Sequence, residues 1–396
     1  MKAESGMKNK WRTVALGDIA QIDRLSLQPD DIEAGTIYVG LEHIETGGAF
    51  LDPKPVSAGS LASSKFRFTE RHILYGKLRP YLAKIACPDF SGICSTDILP
   101  VLPSDKIERR YLFHFLRQPS MVGYANSRAV GVNLPRLNPA TLAEFQIPLP
   151  TVAEQRRIAK VLDRAEMLRV RRRAALTKLD SLTQSIFFDF FGDPATNPKD
   201  WPKIEMERLF SSPPIFGTMI PASVDGGSWL SLRVANIQDW QLDLRDQKFV
   251  ELSATTLERH SVKDGDLLLA RAIASQDHLG KAIVVYPNGR KWAFDSHLMR
   301  LRFGDKAEPE FIRNLLMTFG GRRLFLKVTR RSAVQFNVNT KEIAALKIPL
   351  PPMTLQREFA LRVAAVEKLK AAHRASLLEM DALFASLQDR AFKGEL

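Results

Sequence analysis

Residues 147–158 read IPLPTVAEQRRI and residues 348–359 read IPLPPMTLQREF, so one proline-marked segment and helix start is written twice, 201 residues apart in a chain of 396. Solenoid repeats recur every ~20–50 residues, so a period this long means two copies of a domain-plus-helix unit.

After the first copy, Ile158, Leu162, Ala165, Leu168, Leu176, Leu179, Leu182 and Ile186 recur at spacings near three and four, with Arg172 and Ala175 in the gap. This is the stripe of a long amphipathic helix with a coiled-coil-like seam. Thr151 with Glu154 fits a capping box at its start, and Gly192-Asp193-Pro194 a stop at its end. Over residues 152–190 such a helix is about 58 Å long at 1.5 Å per residue. After the second copy the pattern returns in Phe359, Val363, Val366, His373, Leu377, Met380, Phe384 and Leu387, with one longer gap at Lys370. His373 on this stripe is expected to be a buried polar register element. The second copy lacks the Glu154 cap partner, and Glu358 is expected to neutralise part of that helix N-terminus. One such helix alone would be an ordinary bundle element. Two at matching places, each with an unpartnered stripe, most simply pair with each other. Antiparallel pairing would set the preceding globular domains at opposite ends, related by a pseudo-two-fold axis.

The segments before each IPLP are mixed. Thr36–Leu41, His72–Tyr75, Ala83–Cys87 and Ile98–Leu102 read as strands and Arg109–Arg117 as a helix. In the second half Trp229–Arg233, Asp266–Arg271, Lys281–Val285 and His297–Phe303 read as strands, with a helix near Pro309–Phe319. The expected fold class is α+β: two mixed α/β domains, at 1–150 and at 193–351 with its linker, each followed by a long α-helix, at 151–192 and 352–396. The two helices are expected to pair as an antiparallel coiled coil.

Lys and Arg number 57 against 44 Asp and Glu, a net charge of +13. The excess is spread over both halves without a basic tail. It suits a polyanionic partner, although a merely basic protein would look the same. No stretch approaches ~18 uncharged apolar residues, which argues against a membrane span. The first residues have no apolar core after their lysines, so a signal peptide is not expected. Cys87 and Cys94 are the two cysteines; without a Cys/His cluster they suit a reduced, cytoplasmic protein lacking structural zinc.

The chain resembles the specificity (S) subunit of type I restriction–modification systems over essentially its whole length. The resemblance rests on IPLPTVAEQRRIAKVLDRAE (147–166), SIFFDFFGDPATNPKDWP (185–202), LYGKLRPYLAKI (74–85) and SLQDRAFKGEL (386–396). It implies two target-recognition domains, each binding one half of a bipartite, asymmetric double-stranded DNA site. It also implies a coiled coil that spaces them and docks two modification (methyltransferase) subunits, with restriction subunits joining that core. S-adenosylmethionine, ATP and magnesium would then sit on the partners, with no cofactor in this chain. The seam is expected to include Ile158, Leu162, Leu179, Leu182, Ile186, Val363, Val366, Leu377, Met380 and Phe384.

Matching the two halves gives the candidate DNA contacts. Tyr75–Tyr81 joins a strand to Ala83–Cys87; Gly76 is expected to turn the backbone tightly, while Lys77, Arg79 and Lys84 reach phosphates or guanine edges. Tyr81 is expected to pack. The counterpart, Arg271–Gln276, leads to Lys281 and offers Arg271, Ser275, Gln276 and Lys281. A solvated hairpin tip would look the same. A second pair of loops precedes each IPLP, at 126–138 and 329–339. Arg128, Asn133, Arg136, Arg330, Arg331, Gln335 and Asn337 suit bidentate base contacts or phosphate clamps, whereas Asn138 and Asn339 suit helix caps. His43, His72, His260, His278 and His297 share no ligand spacing and read as ordinary histidines.

No G-x-x-x-x-G-K-[ST] run is present, so ATP-driven translocation is not expected here. No glycine-rich cofactor loop precedes an Asn/Asp-Pro-Pro-aromatic motif, so methyl transfer is expected from another subunit. The chain is expected to be non-catalytic. The rival readings are a coiled-coil scaffold whose domains bind proteins, and a self-contained nuclease or methyltransferase.

Overall fold

The computed structural model describes residues 11–57, 59–238, 240–273, 279–331 and 336–396. They form two compact units: the chain up to Arg173 together with Ala375–Leu396, and Ala174–Arg374. Each unit therefore owns part of both long helices.

In the first unit an antiparallel sheet runs in the order Ala20–Ile22, Ile98–Pro103, Ile73–Gly76, Ile85–Ala86. Its central strands are buried on both faces, so they read as apolar runs rather than alternations. Ile73, Tyr75, Leu99 and Val101 face a core shared with Tyr111, Phe113 and Phe115 of the helix Arg109–Leu116. Leu74, Ala86 and Ile98 point the other way, onto Val39, Phe68 and Cys94 of a second sheet. Strand alternation thus serves two cores from one sheet.

The second unit repeats this frame. Its sheet runs Phe210–Phe216, Leu298–Phe303, Asp266–Ala270, Ala282–Val285, again antiparallel. Leu267, Leu269, Met299 and Leu301 pack toward Phe311, Ile312 and Leu315 of the helix Pro309–Met317. Leu268, Ala270 and Ile283 pack toward Leu230 and Leu232. The accompanying sheets differ. Lys65–Phe68 pairs with Gly92–Cys94 in the first unit, whereas Phe249–Val250 pairs with Trp229–Leu232 in the second.

The IPLP segments are strands. Gln146–Pro148 pairs with Thr13–Ala15, and Lys347–Pro349 with Lys203–Glu205, both antiparallel. Each closes its unit on that unit's own first strand before the chain turns into a long helix. A buried glutamine then ties the helix down. Gln155 accepts from the Glu108 N–H at 2.7 Å and donates to the Lys106 and Pro150 carbonyls at 3.1 and 2.9 Å. Gln356 does the same to Glu308, Lys306 and Pro351 at 2.9, 3.4 and 2.8 Å.

The long helices span Val152–Phe191 and Met353–Lys393. Thr151 Oγ1 accepts from the Glu154 N–H, while the Glu154 carboxylate engages Arg157. Gly192, at φ +74°, ends the first helix by donating to the Phe188 carbonyl. In the first unit Ile158 and Leu162, at the start of one helix, share a core with Phe384, Ala391 and Phe392 at the end of the other. In the second unit Phe187 and Phe191 share one with Phe359 and Val363. The helices therefore pair antiparallel within each unit.

Among the buried and half-buried positions of the first helix an unbroken four–three series runs through 158, 162, 165, 169, 172, 176, 179, 183, 186 and 190. That phase corrects two expectations. Leu168 and Leu182 are 49% and 43% exposed, and Arg169 and Thr183 hold their seam positions instead. Hydrophobicity alone pulled the reading one residue off the seam. On the second helix the apolar expectations Val363, Val366, Leu377, Met380 and Phe384 stand at buried or half-buried positions, and the gap at Lys370 is itself a seam position. Lys370 is 2% exposed, whereas His373 is only half-buried, so the buried polar element is the lysine. Among the described residues no helix is long and apolar enough to cross a membrane, and no group of His, Cys, Asp and Glu is placed to hold a metal ion.

Candidate nucleic-acid interface

The two loops singled out in the first half meet. Lys77, directly after the central strand, donates its N–H to the Asp97 carbonyl at 2.9 Å, and its own carbonyl accepts from Leu137 at 2.9 Å. Leu78 bridges Arg136, which also bridges Val130. The Arg79 N–H donates to the Pro135 carbonyl at 2.7 Å, and Arg79 Nη2 lies 3.4 Å from the Asn133 carbonyl. Lys77, Arg79, Asn133 and Arg136 thus share one surface although they lie up to 59 residues apart in sequence. Arg128 stands at the start of the same loop with its guanidinium 4.0 Å from the centre of the Tyr124 ring. Between the arginines the loop tip is apolar and open: Val130 is 78% and Val132 100% exposed.

The carboxylate of Asp97 lies beneath this surface. It accepts from Arg136 through two bonds, at 2.9 and 3.2 Å, and has Lys77 Nζ 4.0 Å away. Two cations, one from the strand end and one from the loop, converge on one acid.

Three expectations about this region change. Gly76 does not turn the chain through a left-handed conformation; a Cβ there would stand 2.8 Å from the Lys84 carbonyl, so the glycine admits a close strand approach. The left-handed residues are Arg79 and Ala83, at φ +52° and +47°. Tyr81 is 52% exposed rather than packed. Lys84 directs its ammonium to the Leu41 carbonyl at 2.6 Å, away from the group around Asp97.

The second unit has the same frame. The Arg271 N–H donates to the His297 carbonyl at 2.9 Å, and Val338 donates to the Arg271 carbonyl at 3.0 Å. Ala272 and Ile273 pair with Asn337 and Phe336, and Arg330 and Arg331 extend that small sheet. Asn337 therefore stands where Arg136 stands in the first unit, and His297 where Asp97 stands. Lys281 matches Lys84, since its carbonyl accepts from Ala270 as that of Lys84 does from Gly76. The Arg271 guanidinium covers the Phe216 ring at 4.0 Å and reaches the Ser296 carbonyl at 3.4 Å. Asp295, whose carboxyl burial pushes up, lies 3.6 Å from His297 Nδ1. Ser275, Gln276 and Gln335, and the side chains of Arg330 and Arg331, lie outside the described residues, as does His278.

Asn138 and Asn339 are the expected caps. Asn138 accepts from the Ala140 N–H at 2.9 Å, and Asn339 forms a full capping box with Glu342. Each cap pins the chain where its loop ends. An arginine- and asparagine-bearing loop braced on a strand end can present hydrogen-bond donors to phosphates and base edges without ordering itself on contact. Sequence reasoning missed Asp97, for which no signal stood out, and the open apolar tip at Val132.

The family model for the type I restriction modification DNA specificity domain matches residues 8–176. Over 188 residues the chain is 29% identical to the type I restriction enzyme EcoDI specificity subunit of Escherichia coli, a match covering 46% of this chain and 42% of that subunit. It is 24% identical over 311 residues to the EcoKI specificity subunit of Escherichia coli strain K12, covering 74% of this chain and 67% of that one. The chain therefore spans less than half of the first relative's length and about two thirds of the second's. The solved type I restriction–modification S subunit from M. genitalium is similar in fold, with a TM-score of 0.59 at 12% identity over 99% of this chain and 98% of that one.

Proposed function

Because this chain belongs to the DNA specificity subunits of type I restriction–modification systems, we propose that it is the non-catalytic subunit that directs a modification and restriction complex to one bipartite, asymmetric double-stranded DNA site. Residues 1–150 and 193–351 are the two recognition domains, and residues 151–192 and 352–396 the helical arms. The repeated face carries this reading. In both units the turn after a central sheet strand is braced against the loop that ends on a capping asparagine, and the donors on that face differ between the units. Lys77, Arg79, Arg128, Asn133 and Arg136 serve one half-site; Arg271, Ser275, Gln276, Lys281, Arg330, Arg331, Gln335 and Asn337 serve the other. One frame with two sets of side chains suits two different half-sites. Lys84, held by a backbone carbonyl, contributes through the turn it stabilises.

Two modification subunits dock on the helical arms and carry S-adenosylmethionine, and restriction subunits carry ATP and magnesium. The complex works in the cytoplasm, on chromosomal or invading DNA. Its binding falls steeply with salt, because phosphate contacts release counterions. The test is methylome sequencing of a host expressing this subunit with its modification partner. One bipartite motif with a fixed spacer is expected. Exchange of residues 11–150 for the equivalent part of another specificity subunit should then change one half of the motif. Methylation without a bipartite motif, or a change in both halves on exchange, overturns the reading.

A further inference from the structure

We propose that Asp97 is a positioning residue for the first recognition face, holding Arg136 at a fixed angle so that this loop discriminates bases. The inference rests on the function proposed above, and extends it to a residue that would not itself be chosen as a DNA contact.

A carboxylate on a face that meets a polyanion opposes binding unless its charge is neutralised. Asp97 is 25% exposed and is neutralised twice, by Arg136 and by Lys77. Stability gives little reason for this arrangement. Arg136 is 44% exposed, and ion pairs that open to water contribute little to folding. Geometry gives a better one. The bond is bidentate, so the planar guanidinium is fixed in orientation as well as in place. Nε and Nη2 face the acid, and Nη1 makes only a long contact, 3.5 Å, to the Leu134 carbonyl, so the outer edge of the fork can turn to a base or a phosphate at the cost of one weak bond. The Arg136 backbone is fixed as well, by its bridges to Leu78 and Val130. Backbone and head group are both held, so the four-bond side chain between them has little freedom left to lose on binding. Asp97 is itself steadied, since its N–H donates to Ser95 Oγ at 3.2 Å.

The second unit has no such pair at these positions. Asn337 and His297 stand there, and His297 is associated with Asp295 instead. The acid is therefore not part of the shared frame, which folds with a histidine in its place. It belongs to what distinguishes the first face from the second.

The experiment is methylome sequencing of a host carrying the full subunit with its modification partner, comparing the unchanged chain with Asp97→Asn, Asp97→Glu and Arg136→Lys. Asp97→Asn keeps the shape of the side chain but loses the charge; Arg136→Lys keeps the charge but loses the fork. Both are expected to raise methylation several-fold at sites mismatched in the half-site read by residues 11–150, and to leave the other half-site as stringent as before. Asp97→Glu should restore part of the lost discrimination. Unchanged stringency in both halves with Asp97→Asn overturns the proposal. Loss of methylation at all sites, with a lowered melting temperature of the purified subunit, also overturns it, because Asp97 would then be structural. An unchanged subunit that directs no bipartite methylation removes the functional reading itself, and the inference with it.

Discussion

Arg169 Nε lies 2.6 Å from Asp381 Oδ1, and Arg169 Nη1 lies 2.7 Å from Glu166 on its own helix. In sequence 201 residues further on, Lys370 Nζ lies 2.8 Å from Asp180 and 2.8 Å from Glu367. The two acids of one clamp recur in the other at the same offset, Glu166 as Glu367 and Asp180 as Asp381. Each clamp holds a seam cation between an acid one turn earlier on its helix and an acid on the opposing helix. The helices exchange roles between the units, as a duplicated helix paired antiparallel requires.

The Lys370 side chain is 3% exposed while Asp180 is 58% exposed, so the cation bears most of the desolvation. Replacing a buried charge by an apolar residue of similar size is often neutral or stabilising, whereas removing its partners leaves it uncompensated. Lys370→Met should therefore leave the melting temperature unchanged or raise it. Asp180→Ala with Glu367→Ala should lower stability by about 1–2 kcal/mol, a buried-pair cost reduced because both acids reach solvent. Chemical denaturation of the three chains checks this. A Lys370→Met chain less stable than the double alanine chain contradicts it.

Gln155 and Gln356 are both fully buried, and each satisfies one backbone N–H and two carbonyls. Alanine would strip these groups of their partner where water cannot replace it. Each unsatisfied buried group costs ~1–3 kcal/mol, so Gln155→Ala should destabilise the first unit by about 2–4 kcal/mol. Gln356→Ala should do the same to the second, and the two losses should add because the sites share no partner. Limited proteolysis and melting curves of the single and double variants measure both claims.

The helical frame was legible because its signals are local and repeated. The IPLP copies, the four–three stripe and the Gly192 stop all lie where periodicity and capping place them. Leu182 has the hydrophobicity of a seam residue but stands one step off it, because the heptad phase selects Thr183. A sharper signal lies in the polar repeats: Gln155, Glu166 and Asp180 each recur unchanged 201 residues later, within helices where most other residues differ. These three polar residues are bonded to the shared frame in both copies, whereas Leu168 and Leu182, also repeated as Leu369 and Leu383, are exposed. The recognition face was only half legible. Arginine-rich loops can be found by composition, but the convergence of Lys77 and Arg136 on Asp97 depends on a sheet that brings three separate segments together.

His114 is fully buried, with Nε2 2.8 Å from Asp163 Oδ1 and its Nδ1 without a hydrogen-bond partner. Burial lowers its pKa below the ordinary 6.5, against the pull of Asp163. Burial would raise the Asp163 carboxyl, but hydrogen bonds from His114 and Arg110 outweigh it and hold it at about 2. Both groups bind fewer protons folded than unfolded as the pH falls, so both make stability decline toward acid. The His114 contribution is complete above pH ~6.5 and is lost below it; that of the partly exposed Asp163 is lost between about pH 4 and 2. Unfolding free energy should therefore fall from pH 7 to 5. His114→Gln should flatten this slope in part, leaving a remainder from His72 and His260, which burial also lowers. A slope unchanged by His114→Gln would show that the histidine titrates freely in the fold.

Arg79 offers a test in which stability and binding are separated. It is exposed, and it holds a left-handed φ of +52° immediately before Pro80. A residue with a Cβ is strained there by ~1–2 kcal/mol, and glycine is not. Glycine also gives the unfolded chain more freedom, which offsets part of that relief. Arg79→Gly should therefore be at least as stable as Arg79→Ala, by about 0.5–1 kcal/mol in urea denaturation. Both variants lose the guanidinium. If Arg79 meets a phosphate, both should weaken binding to cognate and unrelated duplexes alike, and each should reduce the slope of log affinity against log salt by about one. Anisotropy titrations of the assembled modification complex at several salt concentrations supply that slope. A loss confined to the cognate duplex would make Arg79 a base contact instead. An unchanged affinity in both variants would remove it from the interface, leaving a strained arginine with no role that the fold requires.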